Sequence, residues 1–220
     1  TTHTVSFASN GGTTVSLVTG VRYGAVITAP TDPEKEGYTF DGWYQESSLT
    51  TAWGFGTDTV ITDLSLYAKW AAIDYSISYH LDGGTNDTSN PNNYTIESES
   101  TTLANPSKTG FAFLGWFKSL ESTTQETLIP AGSIGEISFY AKWEAMVYKL
   151  RFNANGGSEP PYYLPYNAKM GFEKKLFKPD WNYIGYTFIG WADSAAGPVE
   201  YTASDTFIMG AANTTLYAQW

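Results

Sequence analysis

The stretch "GYTFDGWY", residues 37–44, places four aromatic rings in eight positions. Residues 110–117 read "GFAFLGWF" and residues 185–192 read "GYTFIGWA". In an extended chain, successive side chains point to opposite faces. Tyr38 and Phe40 therefore share a face, as do Phe111 with Phe113 and Tyr186 with Phe188. Strict alternation would put Trp43, Trp116 and Trp191 on the other side. The glycine before each of them, Gly42, Gly115 or Gly190, permits a bulge that turns the indole back. With a bulge, the block is a core strand with the tryptophan packed at the edge of the sheet. Without one, three tryptophans lie on an outer face and the block reads as a binding patch.

Two further markers recur in the same order. "SNGG", "LDGG" and "ANGG" end at Gly12, Gly84 and Gly157, preceded by Gly11, Gly83 and Gly156. "LYAKW" (66–70), "FYAKW" (139–143) and "LYAQW" (216–220) close each unit. The markers step by 72 to 77 residues, which is the signature of an internal repeat. The expected domains are 1–73, 74–145 and 146–220.

The opening strand of each copy alternates, with Val5, Phe7 and Ser9 on one face. Ile77, Tyr79 and Leu81 match them, and so do Leu150, Phe152 and Ala154. Asn-Gly or Asp-Gly after such a run signals a hairpin, with the next strand of the first copy expected near 14–18. The following segment has helix-forming composition only in the third copy, around 168–178. In the closing strand Leu66, Ala68 and Trp70 share the expected core face, repeated by Phe139, Ala141 and Trp143 and by Leu216, Ala218 and Trp220. Tyr67, Tyr140 and Tyr217 point the other way. They are the candidate ligand-contact residues, because exposed rings stack on sugars or anchor proteins.

Each copy thus reads as a small, mainly β domain with one short helix or turn. About 70 residues is near the lower limit for independent folding. The 42% hydrophobic and 16% aromatic content supplies the burial that disulfides cannot, since there is no cysteine. Only seven steps separate Trp70 from Ile77 and Trp143 from Leu150, with neither Gly nor Pro between. That implies semi-rigid domains in an elongated row.

Composition limits function. The net charge of −10 and a 15% charged content argue against nucleic acid and anionic surfaces. No apolar run is long enough to span a membrane. The chain opens on Thr1, which reads as a segment of a longer protein. Absence of Cys also removes thiolate chemistry and Cys-ligated zinc. The only histidines, His3 and His80, have no matched partners in the other copies, and Asp41 aligns with Leu114 and Ile189. No catalytic set, metal site or cofactor is expected. "DGGTND" (82–87) carries oxygen ligands without EF-hand spacing. The sequons "NDT", "NYT" and "NTT" read as incidental. Lys69 and Lys142 are expected outside the core, which disfavours an isopeptide bond. The third copy is neutral, with six basic and six acidic residues, against three and seven in the first and three and nine in the second. Its basic stretch 169–178, with Lys169, Lys174, Lys175 and Lys178, is a solvated face or a contact for an acidic partner.

"VSFASNGG", "PTDPEKEGYTFDGWY" and "LYAKW", and their counterparts through all three copies, resemble the Listeria–Bacteroides repeat, the internalin B type of B-repeat. The resemblance implies a β-grasp-like (α+β) fold and placement in secreted or surface-anchored bacterial proteins. It also implies a stalk or adhesion-associated role without enzymatic activity. The expected function is a spacer that presents a neighbouring domain. The alternative is a binding module for a host protein or glycan. The second copy departs most, with "HLDGG", "GFAFLGWF" and the polar insertion "NDTSNPNN". The third has Ala192 after Gly-Trp and Gln219 where the others have Lys.

Overall fold

The computed structural model describes residues 1–158 and 164–220. The first copy carries β1 (Thr2–Ala8), β2 (Val18–Arg22), β3 (Tyr38–Tyr44) and β4 (Leu64–Ala72). The second carries β5 (Tyr75–His80), β6 (Asn93–Tyr94), β7 (Thr101–Thr102), β8 (Phe111–Phe117), β9 (Gln125–Glu126), β10 (Leu128–Ile129) and β11 (Ile137–Ala145). The third carries β12 (Val147–Asn153), β13 (Tyr166–Lys169), β14 (Glu173–Lys175), β15 (Gly190–Ala192), β16 (Thr206–Ile208) and β17 (Thr214–Gln219). Two compact units result: Thr1–Ser78 with Asn90–Leu103 and Thr127–Ser138, and Tyr79–Ser89 with Ala104–Glu126 and Phe139–Trp220. The division passes through the second copy.

The sheet order is β2-β1-β4-β3 in the first copy and β13-β12-β17-β15 in the third. In both, the opening and closing strands form a central parallel pair, Val5 beside Leu64 and Leu150 beside Thr214, flanked by antiparallel strands. That is the strand arrangement of a β-grasp. The second copy's sheet runs β6-β5-β11-β8-β9.

No helix occurs among the described residues, so the expected α+β character is replaced by an all-β one. The segment that would be the grasp helix instead pairs with the chain ahead of the closing strand. Ala25 bridges Val60 in the first copy, β7 pairs with β10 in the second, and β14 pairs with β16 in the third. Those pairings satisfy the crossing backbone as a helix would. Ile27, Leu103 and Leu176 drop from this segment into the core. Around 168–178, helix composition loses to tertiary context. Ala168 is buried in the β12–β13 ladder, and Gly171, at φ +81°, turns the chain where a helix would have to continue. The basic stretch lies on strands and a turn, with Lys174 Nζ over the Tyr166 ring at 4.1 Å.

The expected strand at 14–18 also moves. The turn forms as read: Asn10 and Gly11 have φ of 49° and 91°, and Gly12 N–H donates to Ser9 C=O. Thr13 N–H then donates to Glu34 C=O, which leads the chain away from β1 until β2 begins at Val18.

The bulge decides the aromatic block. Phe40 faces Trp70 and Trp43 faces Ala68, so two residues, Asp41 and Gly42, oppose one. The second copy shows the same shift, Phe113 facing Trp143 and Gly115 facing Lys142. In the third, Gly190 faces Gln219 while Ile189 N–H also donates to Gln219 C=O. Gly42, Gly115 and Gly190 all have positive φ, at 106°, 135° and 157°. The tryptophans consequently turn inward. Trp43, Trp116 and Trp191 are 3%, 1% and 0% exposed, and Trp43 and Trp191 lie on the edge strands of their sheets with their rings turned into the core. Each is met edge-on by Phe40, Phe113 or Phe188, 5.2–5.4 Å between centroids.

The connections are shorter than the sequence implies. Ile73 and Asp74 alone join β4 to β5, and Met146 alone joins β11 to β12. Ile73 N–H donates to Gly37 C=O and Met146 N–H to Gly110 C=O, both at 2.9 Å.

Candidate functional site

The closing tryptophans form a latch that recurs in each copy. Trp70 Nε1–H donates to Ser9 C=O (2.9 Å), Trp143 to Leu81 C=O (3.0 Å) and Trp220 to Ala154 C=O (2.8 Å). Each indole lies across the second glycine of its turn. A Cβ on Gly12, Gly84 or Gly157 would stand 2.4, 2.7 or 2.6 Å from the Cζ2 of that ring. The first glycine of the pair is needed for its φ, the second for the absence of a side chain.

A capping side chain closes the latch from outside. Lys35 Nζ sits 4.1 Å from the Tyr38 ring centre and 5.8 Å from Trp70. Lys108 repeats this over Phe111 (4.5 Å) and Trp143 (5.8 Å). In the third copy Tyr183 takes the place, stacked on Tyr186 at 4.4 Å and edge-on to Trp220 at 5.8 Å. A cation over a ring face and a stacked ring are alternative ways to cover one aromatic surface. The turn residue adapts in step. Asn10 and Asn155 donate to the Ala68 and Ala218 carbonyls, whereas Asp82, which cannot, accepts from Lys108 at 3.0 Å.

The candidate contact residues Tyr67, Tyr140 and Tyr217 lie on the outer face of their closing strands, all half-buried. Their surroundings differ. Tyr67 is paired with Ala8 and Tyr44. Beside it Lys69 bonds Asp41 (2.9 Å) and the Tyr44 hydroxyl (3.1 Å), which raises the Lys69 pKa. Tyr140 stacks on His80, 4.2 Å between centroids and 12° from parallel. The pair opens onto a cleft of about 690 Å³ also lined by Asp82, Lys108, Lys142 and Trp143. Lys142 Nζ is held by Ser122 C=O at 2.6 Å and lies over the Phe117 ring. Tyr217 is paired with Asn153 and lines a cleft of about 480 Å³ with Arg151 and Thr215. The outer tyrosine is constant, while the residue at the position of Ala8, His80 or Asn153 changes its chemistry.

In the "DGGTND" loop, Asp82 is engaged by Lys108, and Asp87 accepts from Ser89 N–H and Oγ–H, which lowers its pKa. His3 Nδ1 lies 3.6 Å from Asp63. Among the described residues no three potential metal ligands gather.

Sequence reasoning missed the latch, because glycines in an Asn-Gly pair already have a turn role. It also missed Ile96 and Met170, whose side chains fill the space beside Gly37 and Gly110. For Ile96 the signal was an apolar residue in an otherwise polar segment, "TIESES".

Similar proteins carry the same units. A 38% identical relative, named "Putative membrane protein", from Evansella cellulosilytica aligns over 99% of this chain and 33% of its own length. A "Putative Gly-rich membrane protein" of that organism is 44% identical over 71% of this chain and 18% of its own. Internalin H of Listeria monocytogenes is 34% identical over 53% of this chain and 22% of its own. The chain spans a third or less of each. The family model of the Listeria–Bacteroides repeat domain matches residues 3–69, 75–142 and 148–219. With three copies of the aromatic strand and the tryptophan latch, and the parallel central pair in the first and third, the chain belongs to the Listeria–Bacteroides repeat domain family.

Proposed function

We propose that this chain is a non-enzymatic stalk region of a bacterial cell-surface or secreted protein, with domains 1–73, 74–145 and 146–220 spacing a neighbouring functional domain from the cell. The observation that carries the reading is the connection between copies. Two residues and then one residue separate consecutive sheets, and the adjoining backbone is hydrogen-bonded to Gly37 and Gly110. Such links transmit orientation, whereas flexible tethers lose it. The names of the relatives, two called membrane proteins and one an internalin, support placement at a bacterial surface. Small-angle scattering on dilute protein tests the stalk: an elongated particle is expected. A radius of gyration near the roughly 17 Å of a compact domain of this length overturns it.

A second reading, a binding module for a host glycan or protein, is favoured by the His80–Tyr140 platform beside Lys108 and Lys142. Flat stacked rings flanked by donors suit the apolar face and hydroxyls of a sugar. Glycan-array binding that disappears in Tyr140→Ala, but persists in Tyr67→Ala, supports it. Equal loss in both variants, or no binding at high protein concentration, removes it.

A further inference from the structure

The second copy keeps a cation without the counter-ion that its first-copy equivalent has. Lys69 is paired with Asp41 at 2.9 Å and donates to the Tyr44 hydroxyl at 3.1 Å. In the second copy Leu114 stands in place of Asp41, and Phe117 in place of Tyr44. Lys142 Nζ donates instead to a neutral acceptor, the Ser122 C=O, at 2.6 Å. Among the described residues it has no carboxylate partner. An ammonium carries three donors, and Ser122 takes one of them. The third copy removes both charges, with Ile189 at the aspartate position and Gln219 at the lysine. Gln219 Nε2–H still donates to a loop carbonyl, that of Ser194, at 3.2 Å. A neutral side chain can therefore tie this loop, and the bond to Ser122 does not by itself require a charge at residue 142.

The copy has three basic residues against nine acidic ones, yet two of the three, Lys108 and Lys142, line the cleft beside His80 and Tyr140. Asp82 is the one carboxylate in that lining, and Lys108 neutralises it at 3.0 Å. The cleft is left with one uncompensated positive charge. Leu114 and Leu120, 48% and 63% exposed, give it an apolar wall. The leucine that leaves Lys142 unpaired thus also supplies apolar surface next to it. We infer that this cleft binds a sugar residue carrying a single negative charge, a carboxylated pyranose of the uronic or sialic acid class. Its carboxylate accepts from Lys142 Nζ, and its apolar ring face lies against Tyr140 and Leu114. A charge-assisted hydrogen bond is stronger than a neutral one, and a neutral sugar leaves the half-buried ammonium without an anion. The inference rests on the glycan reading of the same cleft and adds the charge class of the ligand.

The test is amide NMR of the full, isotope-labelled chain, titrated with methyl glucuronide against methyl glucoside and with sialyllactose against lactose. At least one of the acidic sugars is expected to shift the His80, Tyr140 and Lys142 amides and to bind about tenfold more tightly than its neutral counterpart. Which one does so names the class. Lys69, already paired, is the control within the same molecule and does not shift. Leu114→Asp rebuilds the first copy's ion pair at a position where Asp41 is already accommodated. Lys142→Gln keeps the tie to Ser122 as Gln219 keeps the one to Ser194. Both variants abolish the preference for the acidic sugar, and Leu114→Asn retains it, with unchanged amides in the other copies reporting an intact fold. A preference that survives Leu114→Asp or Lys142→Gln overturns the inference, as do equal shifts at Lys69. Neutral sugars that bind as tightly as acidic ones overturn the charge class and leave the glycan reading standing. No shift with any of the four sugars removes both.

Discussion

Gly12→Ala isolates the latch. Replacing glycine by alanine at a compatible backbone position stabilises a protein by about 0.4–1 kcal/mol, because the unfolded chain loses freedom. Gly12 has no left-handed φ, so this would be the expectation if only its backbone mattered. The new methyl would instead stand 2.4 Å from Trp70 Cζ2 and 3.1 Å from Glu34 C=O. The indole must move. It then loses the Ser9 hydrogen bond, about 1 kcal/mol, and its edge contact with Phe40, about 0.5–1.5 kcal/mol. Residual crowding brings the expected destabilisation to about 2–4 kcal/mol. The assay is amide hydrogen exchange of the full chain by mass spectrometry, reading β1 and β4 with the third copy as internal standard. The decisive comparison is a cycle with Trp70→Leu. If the indole is the cause, Gly12→Ala in that background costs nothing or stabilises slightly. An equal cost with and without Trp70 refutes the reasoning and assigns the glycine to the turn itself.

Trp43→Phe and Trp116→Phe should differ, although both rings are buried. Trp116 Nε1–H donates to Ala104 C=O at 2.9 Å, whereas the buried Trp43 Nε1–H has no acceptor among the described residues. Chemical denaturation should show Trp116→Phe costing about 1–2 kcal/mol more; equal costs refute the assignment. At the bulge, Gly42→Ala meets nothing within 4 Å among the described residues and carries only the positive-φ cost, about 1–2 kcal/mol. Gly190→Ala adds collisions with Val199 Cγ1 at 2.4 Å and Tyr201 C=O at 2.5 Å, so it should be the more damaging of the two in thermal melts. The Tyr38 pKa is raised, first by its hydrogen bond to Glu97 and then by desolvation. A raised value favours the neutral phenol in the folded state. Its contribution is therefore whole below the ordinary tyrosine range and is lost as pH climbs through the raised value. NMR titration of labelled tyrosines should find Tyr38 titrating late, and earlier in Glu97→Gln. The Glu46 pKa is lowered, first by its hydrogen bond from Thr50. The loop it ties, through the Thr50 and Thr51 amides, should lose exchange protection as pH falls through that lowered value, and Glu46→Gln should show the loss at neutral pH.

The sequence by itself determined the three copies and their core faces, and marked the glycines at which a bulge could form. Those features rest on period-two alternation and on glycine's freedom at positive φ, both local properties of the chain. Val5, Leu66 and Ala68 were legible as core because their spacing admits one buried face. Three things required the folded structure. The helix expected around 168–178 is a turn between two strands, because β12 and β16 offer its backbone partners that no local propensity encodes. The second glycine of each Asn-Gly or Asp-Gly pair serves a tryptophan 58 to 63 residues later, a distance no sequence window spans. The outer tyrosines differ in function-bearing surroundings although their own strands are nearly identical. Their neighbours, Ala8, His80 and Asn153, come from the opening strand of each copy, whose register against the closing strand is set only when the sheet closes.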